Sequence, residues 1–221
     1  MKQRMNDFNA SRSDRRVAPA CVIACESIAT HPDFRALSDI SALDVDLRYA
    51  SVNNFLAHNF YGLLDCAYVH KTAGTALERA VSWLQEHTPD QRLRVLDALR
   101  PQRVQEQLFL ALDGTPMAGY LAHPDHGSIH SFGMAVDVTL IDAAGCELDM
   151  GSAFDEMGFR SHTDDESTLV AQGVLTRQHV RNRKCLRDAM ERGGFQSLRT
   201  EWWHFDLGDR DAVRRDLPRV A

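Results

Sequence analysis

Apolar positions recur along this chain with two different periods, and each change of period marks a new element. Behind Thr72, a residue suited to capping a helix, Ala76, Leu77, Ala80, Val81 and Leu84 follow a 3.6-residue spacing. Across 92–99, Leu93 and Val95 alternate with polar neighbours, which predicts a strand. Pro101 then suits the first position of a helix running to about Leu112, because its fixed φ is helical and its missing N–H costs nothing there. The stretch 113–127 holds three glycines, two prolines and two histidines, and reads as a loop. Residues 134–141 alternate and are rich in β-branched side chains, predicting a second strand, and Asp142-Ala-Ala-Gly145 turns the chain back as in a hairpin. A second helical pattern over 176–192 turns Val180, Leu186, Ala189 and Met190 inward and stops at Gly193-Gly194. An aromatic strand is expected within 195–207. Helices and strands that do not alternate regularly predict an α+β fold, with a mainly antiparallel sheet flanked by helices.

No internal repeat or low-complexity linker interrupts these patterns, so one domain spanning 31–221 is the simplest division. Residues 1–30 read as an N-terminal extension. It is polar and basic up to Arg15-Arg16, then briefly apolar through Val22-Ile-Ala-Cys25. That stretch is either a disordered tail or a short export signal with a lipoprotein-like box, although about eight apolar residues interrupted by Pro19 are few for a signal. The tail favours a cytoplasmic protein, whereas the signal would make it periplasmic or lipid-anchored.

Composition narrows the function classes. The chain has 221 residues, 44% of them apolar, enough for one sizeable core and not the profile of a disordered chain. Its 31 acidic and 25 basic residues give a formal charge of -6, and no basic stripe offsets it, so nucleic acid is a poor partner. No apolar run approaches the ~20 residues of a membrane span. The five cysteines are scattered without a Cys-x-x-Cys pair, so free buried thiols are expected rather than a thiolate metal site.

Candidate chemistry gathers in two segments. Ser128-Ile-His-Ser-Phe-Gly-Met-Ala-Val-Asp137 places His130 in a loop and Asp137 on the strand that follows. Imidazole nitrogen and carboxylate oxygen are both good zinc ligands, but this pair alone is more commonly an ordinary hydrogen bond. Glu201-Trp-Trp-His204 supplies the rest, and alternation puts Trp202 and His204 on one face. A core strand with a satisfied histidine is the bland account of that segment. Together, His130, Asp137 and His204 form a three-ligand set that leaves a zinc ion one open position for water, as catalysis requires. Such an ion lowers the pKa of its water to roughly 7. Glu201, a carboxylate outside the ligand set, then suits a general base that later returns the proton to a leaving amine.

These segments resemble the zinc D-alanyl-D-alanine dipeptidases associated with vancomycin resistance. The resemblance runs from about Phe34 to Leu207 through Asp46-Leu-Arg-Tyr49-Ala, Asn53-Asn-Phe55, Asp97-Ala-Leu-Arg100-Pro101, the 128–137 block, Met150-Gly-Ser-Ala-Phe-Asp155, Arg160-Ser-His162 and Glu201-Trp-Trp-His204. It implies the fold shared by zinc D,D-peptidases and hedgehog-like domains, and one catalytic zinc ion on His130, Asp137 and His204. It implies Glu201 as base and Arg100 as the partner of the scissile carbonyl oxygen. By the same resemblance Tyr49 and Asp155 receive the substrate's free ammonium, and Ser128 contacts its C-terminal carboxylate. Holding both ends would restrict the partner to a small dipeptide, since a longer chain would leave a buried charge unpaired. Leu99 departs from the family pattern, which usually has an aromatic before Arg-Pro, and the loop between Arg100 and His130 is shorter than in some relatives.

Two rivals stand beside a D-Ala-D-Ala dipeptidase. A zinc D,D- or L,D-carboxypeptidase on longer murein peptides would need an open ammonium side, which Tyr49 and Asp155 argue against. A zinc-stabilised binding module would have no need of Glu201. Oligomeric state is left open. Among the other polar residues, His123 and His126 read as solvated loop histidines, and His162 as a support or structural residue. The run Asp164-Asp-Glu166 reads as a solvated turn, and Cys146 and Cys185 as packing residues.

Overall fold

The strand at 135–141 is buried at every position, so it lies inside the protein and not on a half-wet sheet face. The computed structural model describes residues 21–221. In chain order its strands and α-helices are β1 (Val22–Ile23), β2 (Phe34–Ala36), β3 (Asp44–Val45), β4 (Tyr68–His70), α1 (Lys71–His87), β5 (Arg92–Asp97), α2 (Gln102–Leu112), β6 (Ala135–Ile141), α3 (Glu166–Ala171), α4 (Arg177–Gly193), β7 (Gln196–Ser197), β8 (His204–Asp206), α5 (Arg210–Asp216) and β9 (Arg219–Val220).

The main sheet has five strands in the order β3-β5-β6-β8-β7. Only β3 and β5 run parallel; the remaining pairs are antiparallel. Helices α1 and α4 pack on each other and on this sheet. Leu77, Ala80, Leu84, Leu186, Ala189 and Met190 form a common core with Leu93, Val95, Val136 and Val138. The apolar stripes read from the two helical periods are thus the faces turned to the sheet, and the expected α+β class with a mainly antiparallel sheet is what the chain adopts. A second core lies on the far side of β5's end, where Cys25, Tyr49, Tyr61, Cys66, Leu99, Val104 and Leu108 meet.

Several local expectations shift. The cap of α1 is His70, whose side chain accepts from the Thr72 N–H, and not Thr72 itself. Pro101 is the residue before α2 rather than its first turn, with ψ 148°. The return after Gly145 is a single bridge between Ile141 and Glu147, not a full hairpin. The aromatic segment is two short strands, β7 and β8, and Glu201, Trp202 and Trp203 occupy the turn between them. Residues 22–30, assigned by sequence to the extension, belong to the packed body: β1 pairs in parallel with β9, and Cys25 and Ile28 are buried in the short helix Cys25–Thr30. The polar segment with Arg15-Arg16 lies outside the described residues. Cys25 and Cys66 are buried free thiols as expected, and Cys185 packs partly buried against the core, whereas Cys146 is exposed. Among the described residues no helix is long and apolar enough to cross a membrane.

Candidate metal and catalytic site

Strand register builds the centre of the site. On β6, Asp137 stands directly opposite Asp97 of β5 and opposite His204 of β8. Opposed residues on neighbouring strands project to the same face, so three ionisable groups form a row across the sheet. A register shift between Val95 and Asp97 re-aims the last residue of β5 into this row.

His130 arrives from the short helix Ile129–Phe132 that leads into β6. Ser128 starts that helix by accepting from the His130 N–H, and Gly133 ends it in the left-handed region at φ 65°. A Cβ at Gly133 would lie 2.6 Å from the His70 backbone nitrogen, so glycine is required for the turn that brings His130 over Asp137.

The ligand atoms converge with their other sides already committed. His130 Nδ1 is 2.9 Å from the Ala98 carbonyl oxygen, and His204 Nε2 is 3.0 Å from Asp206 Oδ1. A carbonyl or carboxylate partner fixes the proton on that outer nitrogen. The inner atoms then face one another: His130 Nε2 and His204 Nδ1 at 3.2 Å, His204 Nδ1 and Asp137 Oδ1 at 3.0 Å, His130 Nε2 and Asp137 Oδ1 at 3.4 Å. Three lone-pair donors this close repel unless positive charge sits among them. Among the described residues this is the one cluster suited to holding a metal ion. Two imidazoles and one carboxylate fit a divalent transition ion.

Titration follows the same geometry. Burial opposes protonation of His204, but Asp206 and Asp137 outweigh it and raise its pKa well above the usual imidazole range. Burial likewise works against ionisation of Asp137, yet His130 and His204 hold it below the usual carboxylate range. Asp206 is lowered too, against burial, by His204 and Arg210. Its Oδ2 accepts from Arg210 Nε at 2.6 Å, so the histidine's support is itself anchored.

Glu201 sits in the turn before β8, within electrostatic range of His204, Asp137, Arg100 and His130. Burial pushes its pKa up to about 7, where a carboxyl group exchanges protons readily near neutral pH.

Arg100 follows β5 and is buried. Its Nε donates to Asp97 Oδ2 at 2.7 Å, NH1 to Gln105 Oε1 at 3.0 Å, and NH2 to Asp137 Oδ2 at 3.3 Å. NH2 also lies 2.5 Å from Asp97 Oδ2. A guanidinium has five N–H groups, so roughly one, on NH1, is left for a ligand. Burial would lower its pKa, but Asp97, Tyr49 and Asp137 raise it further. Its Cζ lies 5.0 Å from the centre of the Tyr49 ring. Tyr49 Oη in turn donates to Asp155 Oδ2 at 2.8 Å, so a chain of contacts runs from Asp137 through Arg100 and Tyr49 to Asp155. Burial, and then Asp137, raise Asp155 well above the usual carboxylate range.

Every residue singled out by sequence is therefore placed. His130, Asp137 and His204 meet directly; Arg100, Tyr49 and Asp155 connect to them by named contacts; Glu201 faces them electrostatically. Ser128 is buried two residues from His130, its oxygen engaged as a cap. Sequence reasoning missed Asp206, Asp97 and Gln105 as partners. Asp206 was legible in principle, because a residue two after His204 on a strand shares its face.

The decoys separate cleanly. His123 is exposed against Phe109, outside the cluster. His162 contributes its carbonyl oxygen, which accepts from Arg183. Asp164 and Asp165 lie exposed in a bend, Asp164 pairing with Arg199, as a solvated turn would have them, whereas Glu166 is buried beside Arg183 and Arg187.

Residues 34–221 match the family model described as D-ala-D-ala dipeptidase. The chain belongs to that family. A D-alanyl-D-alanine dipeptidase of Escherichia coli is 39% identical over 165 residues, covering 75% of this chain and 79% of the relative. The corresponding protein of Enterococcus faecium is 33% identical over 187 residues, covering 74% of this chain and 85% of the relative. One from Enterococcus faecalis reaches 45% identity over a shorter match of 92 residues, 41% of either chain. Membership makes the chain a peptidase by family, and it places Asp97-to-Arg100, the 128–137 block and the 201–204 turn inside the matched span.

Proposed function

We propose that this protein hydrolyses the peptide bond of D-Ala-D-Ala with one zinc ion held by His130, Asp137 and His204. The observation that carries the proposal is the inward convergence of three lone-pair donors, two of them imidazoles whose outer nitrogens are already bonded to Ala98 and Asp206, with Glu201 within electrostatic range. The relatives named above carry this activity in their names.

Zinc at this site supplies Lewis acidity toward water and the scissile carbonyl. The remaining work belongs to side chains. Glu201 takes the proton released as water attacks the carbonyl carbon, then delivers it to the amide nitrogen as the C–N bond breaks, leaving one carboxylate and one amine. The uncommitted N–H of Arg100 points its charge at the developing oxyanion, an effect commonly worth several kcal/mol. Asp155, with Tyr49, receives the ammonium of the first residue, whose positive charge offsets the burial and the Asp137 charge that otherwise favour the neutral carboxyl. Ser128, whose oxygen already accepts from His130 N–H, retains its own hydroxyl proton for the carboxylate of the second.

Both ends of the substrate are thus matched by opposite or donating groups, which favours a dipeptide over a longer murein peptide. Incubation with D-Ala-D-Ala, L-Ala-L-Ala and a murein pentapeptide, with and without a chelator, tests the proposal. Rapid, chelator-sensitive release of D-alanine from D-Ala-D-Ala is expected. Faster trimming of the pentapeptide, or turnover indifferent to chelator, would overturn it.

A further inference from the structure

Asp155 poses a structural problem that its own contacts do not solve. It is a non-glycine residue at φ 60°, it is buried, and its side chain is bonded to Tyr49. A backbone in that region costs on the order of 1 kcal/mol or more, and a buried carboxyl favours turning outward to water. The segment 150–162 that carries it holds no strand of the main sheet. Something else must keep it in place.

The geometry points to Arg183 as that element: a positioning residue which, from the interior of α4, fixes this loop and thereby sets how tightly a substrate ammonium is held at Asp155. The inference rests on the reading of Asp155 given under the proposed function. Arg183 has a side chain that is 0% exposed, and it spends its donors on one loop. Nε reaches the Met150 carbonyl at 2.6 Å and NH2 the Arg160 carbonyl at 2.7 Å. NH1 reaches the His162 carbonyl at 3.3 Å, and NH2 also meets Ser152 Oγ at 3.3 Å. Its carboxylate neighbour, Glu166, stays 3.7 Å away. A planar fork can grip both ends of a loop at once, whereas the point charge of a lysine cannot.

Ser152 extends the grip. Its Oγ is 2.8 Å from Ser161 Oγ and accepts from Trp202 Nε1 at 2.9 Å, tying the loop to the turn that carries Glu201. Phe154, next to Asp155, packs its ring edge-on to Trp203 at 5.6 Å and tilted against Tyr49 at 6.2 Å. With both ends of the segment held by one guanidinium and its middle by aromatic contacts, the Asp155 carboxyl has little room to swing.

Two ligands separate this role from general scaffolding: D-Ala-D-Ala, and N-propionyl-D-alanine, which has the same shape without the amine. In the full chain, Arg183→Met should raise KM for D-Ala-D-Ala about 10- to 100-fold. The same variant should leave kcat, zinc content and the Ki of the propionyl analogue within a few-fold of their original values, and Arg183→Lys should fall between. Asp155→Asn should lose the same discrimination, and adding Arg183→Met to it should cost little more, because the two act through one contact. If Arg183→Met does not fold, Ser152→Ala takes its place in the cycle, with a smaller shift in the same direction. Equal weakening of both ligands, or strict additivity with Asp155→Asn, overturns the inference. Loss of discrimination in Asp155→Asn but not in the loop variants also overturns it and leaves the ammonium site standing. Loss in the loop variants but not in Asp155→Asn would instead remove Asp155 as the ammonium partner.

Discussion

Asp137 and His204 face each other on neighbouring strands, whereas Tyr49 and Asp155 meet across 106 residues of sequence from two irregular segments. The first pair inherits its geometry from the sheet. Its register also brings in Asp97, and backbone ladders on both sides hold the row. The second pair has no ladder, and its geometry depends on side chains gripping backbone: Arg183 on three carbonyls, Ser152 on Trp202, and the strained turn at Asp155 itself. On the proposed function, chemistry common to any metal hydrolase falls to the rigid half, and the choice of substrate falls to the half that small changes in packing can re-aim.

That contrast can be tested by damage to each half. The largest effect is expected from Glu201→Ala, which should keep metal at full stoichiometry and lose on the order of 10²–10⁴-fold or more in kcat; retained turnover would remove Glu201 as base. Next, His204→Ala should lose metal and lower Tm, because binding energy at such a site is partly folding energy. Metal analysis and thermal unfolding measure both, and full stoichiometry would refute the ligand set. Asp206→Asn should weaken metal affinity about 10–100-fold while leaving KM of metal-saturated enzyme nearly unchanged. Chelator competition reads the affinity, and an unchanged affinity would mean the histidine is held by the strand alone. On the other half, Asp155→Ala should raise KM for free dipeptides far more than for N-acylated ones without touching metal content; equal losses would break the division between the halves.

The smallest effect is in pH dependence. As the proposed base, Glu201 must be ionised to act, so kcat/KM should fall as pH drops through its pKa. Burial sets that pKa at about 7, and a bound cation nearby favours the carboxylate, so the acid limb should have its midpoint at or below 7. A limb centred above 7 would point to another group.

The rigid half was also the legible half. The 128–137 block and the 201–204 turn announce metal-binding residue types at short spacing, and the β-branched content of 135–141 marks a strand, which the structure buries on both faces. The helices were legible through their period: α1 buries the stripe it picks out, and α4 buries Leu186, Ala189 and Met190 but leaves Val180 half-buried. What escaped are polar residues that turn inward. Arg183 lies on α4 three residues after Val180 and three before Leu186, and a charged side chain on that inward stripe is buried because its partners are carbonyls, which leave no trace in side-chain pattern. Glu166 escaped likewise, its buried pairing set by arginines from another helix. Residues 22–30 looked like a tail because β1 finds its partner only in β9, at the opposite end of the sequence.

Asp97, Arg100 and Asp137 share one charge balance, and this has a consequence for how the site can change. Two buried carboxylates tolerate each other across adjacent strands because a single guanidinium bonds both. Losing Arg100 alone would leave Asp97 with only Tyr61 and the Ala98 N–H as donors and Asp137 with only the two histidines, while losing Asp97 alone would leave Tyr61 and the arginine without their shared acceptor. A change at Arg100 therefore reaches two carboxylates at once, and a change at Asp97 reaches both the arginine and the tyrosine.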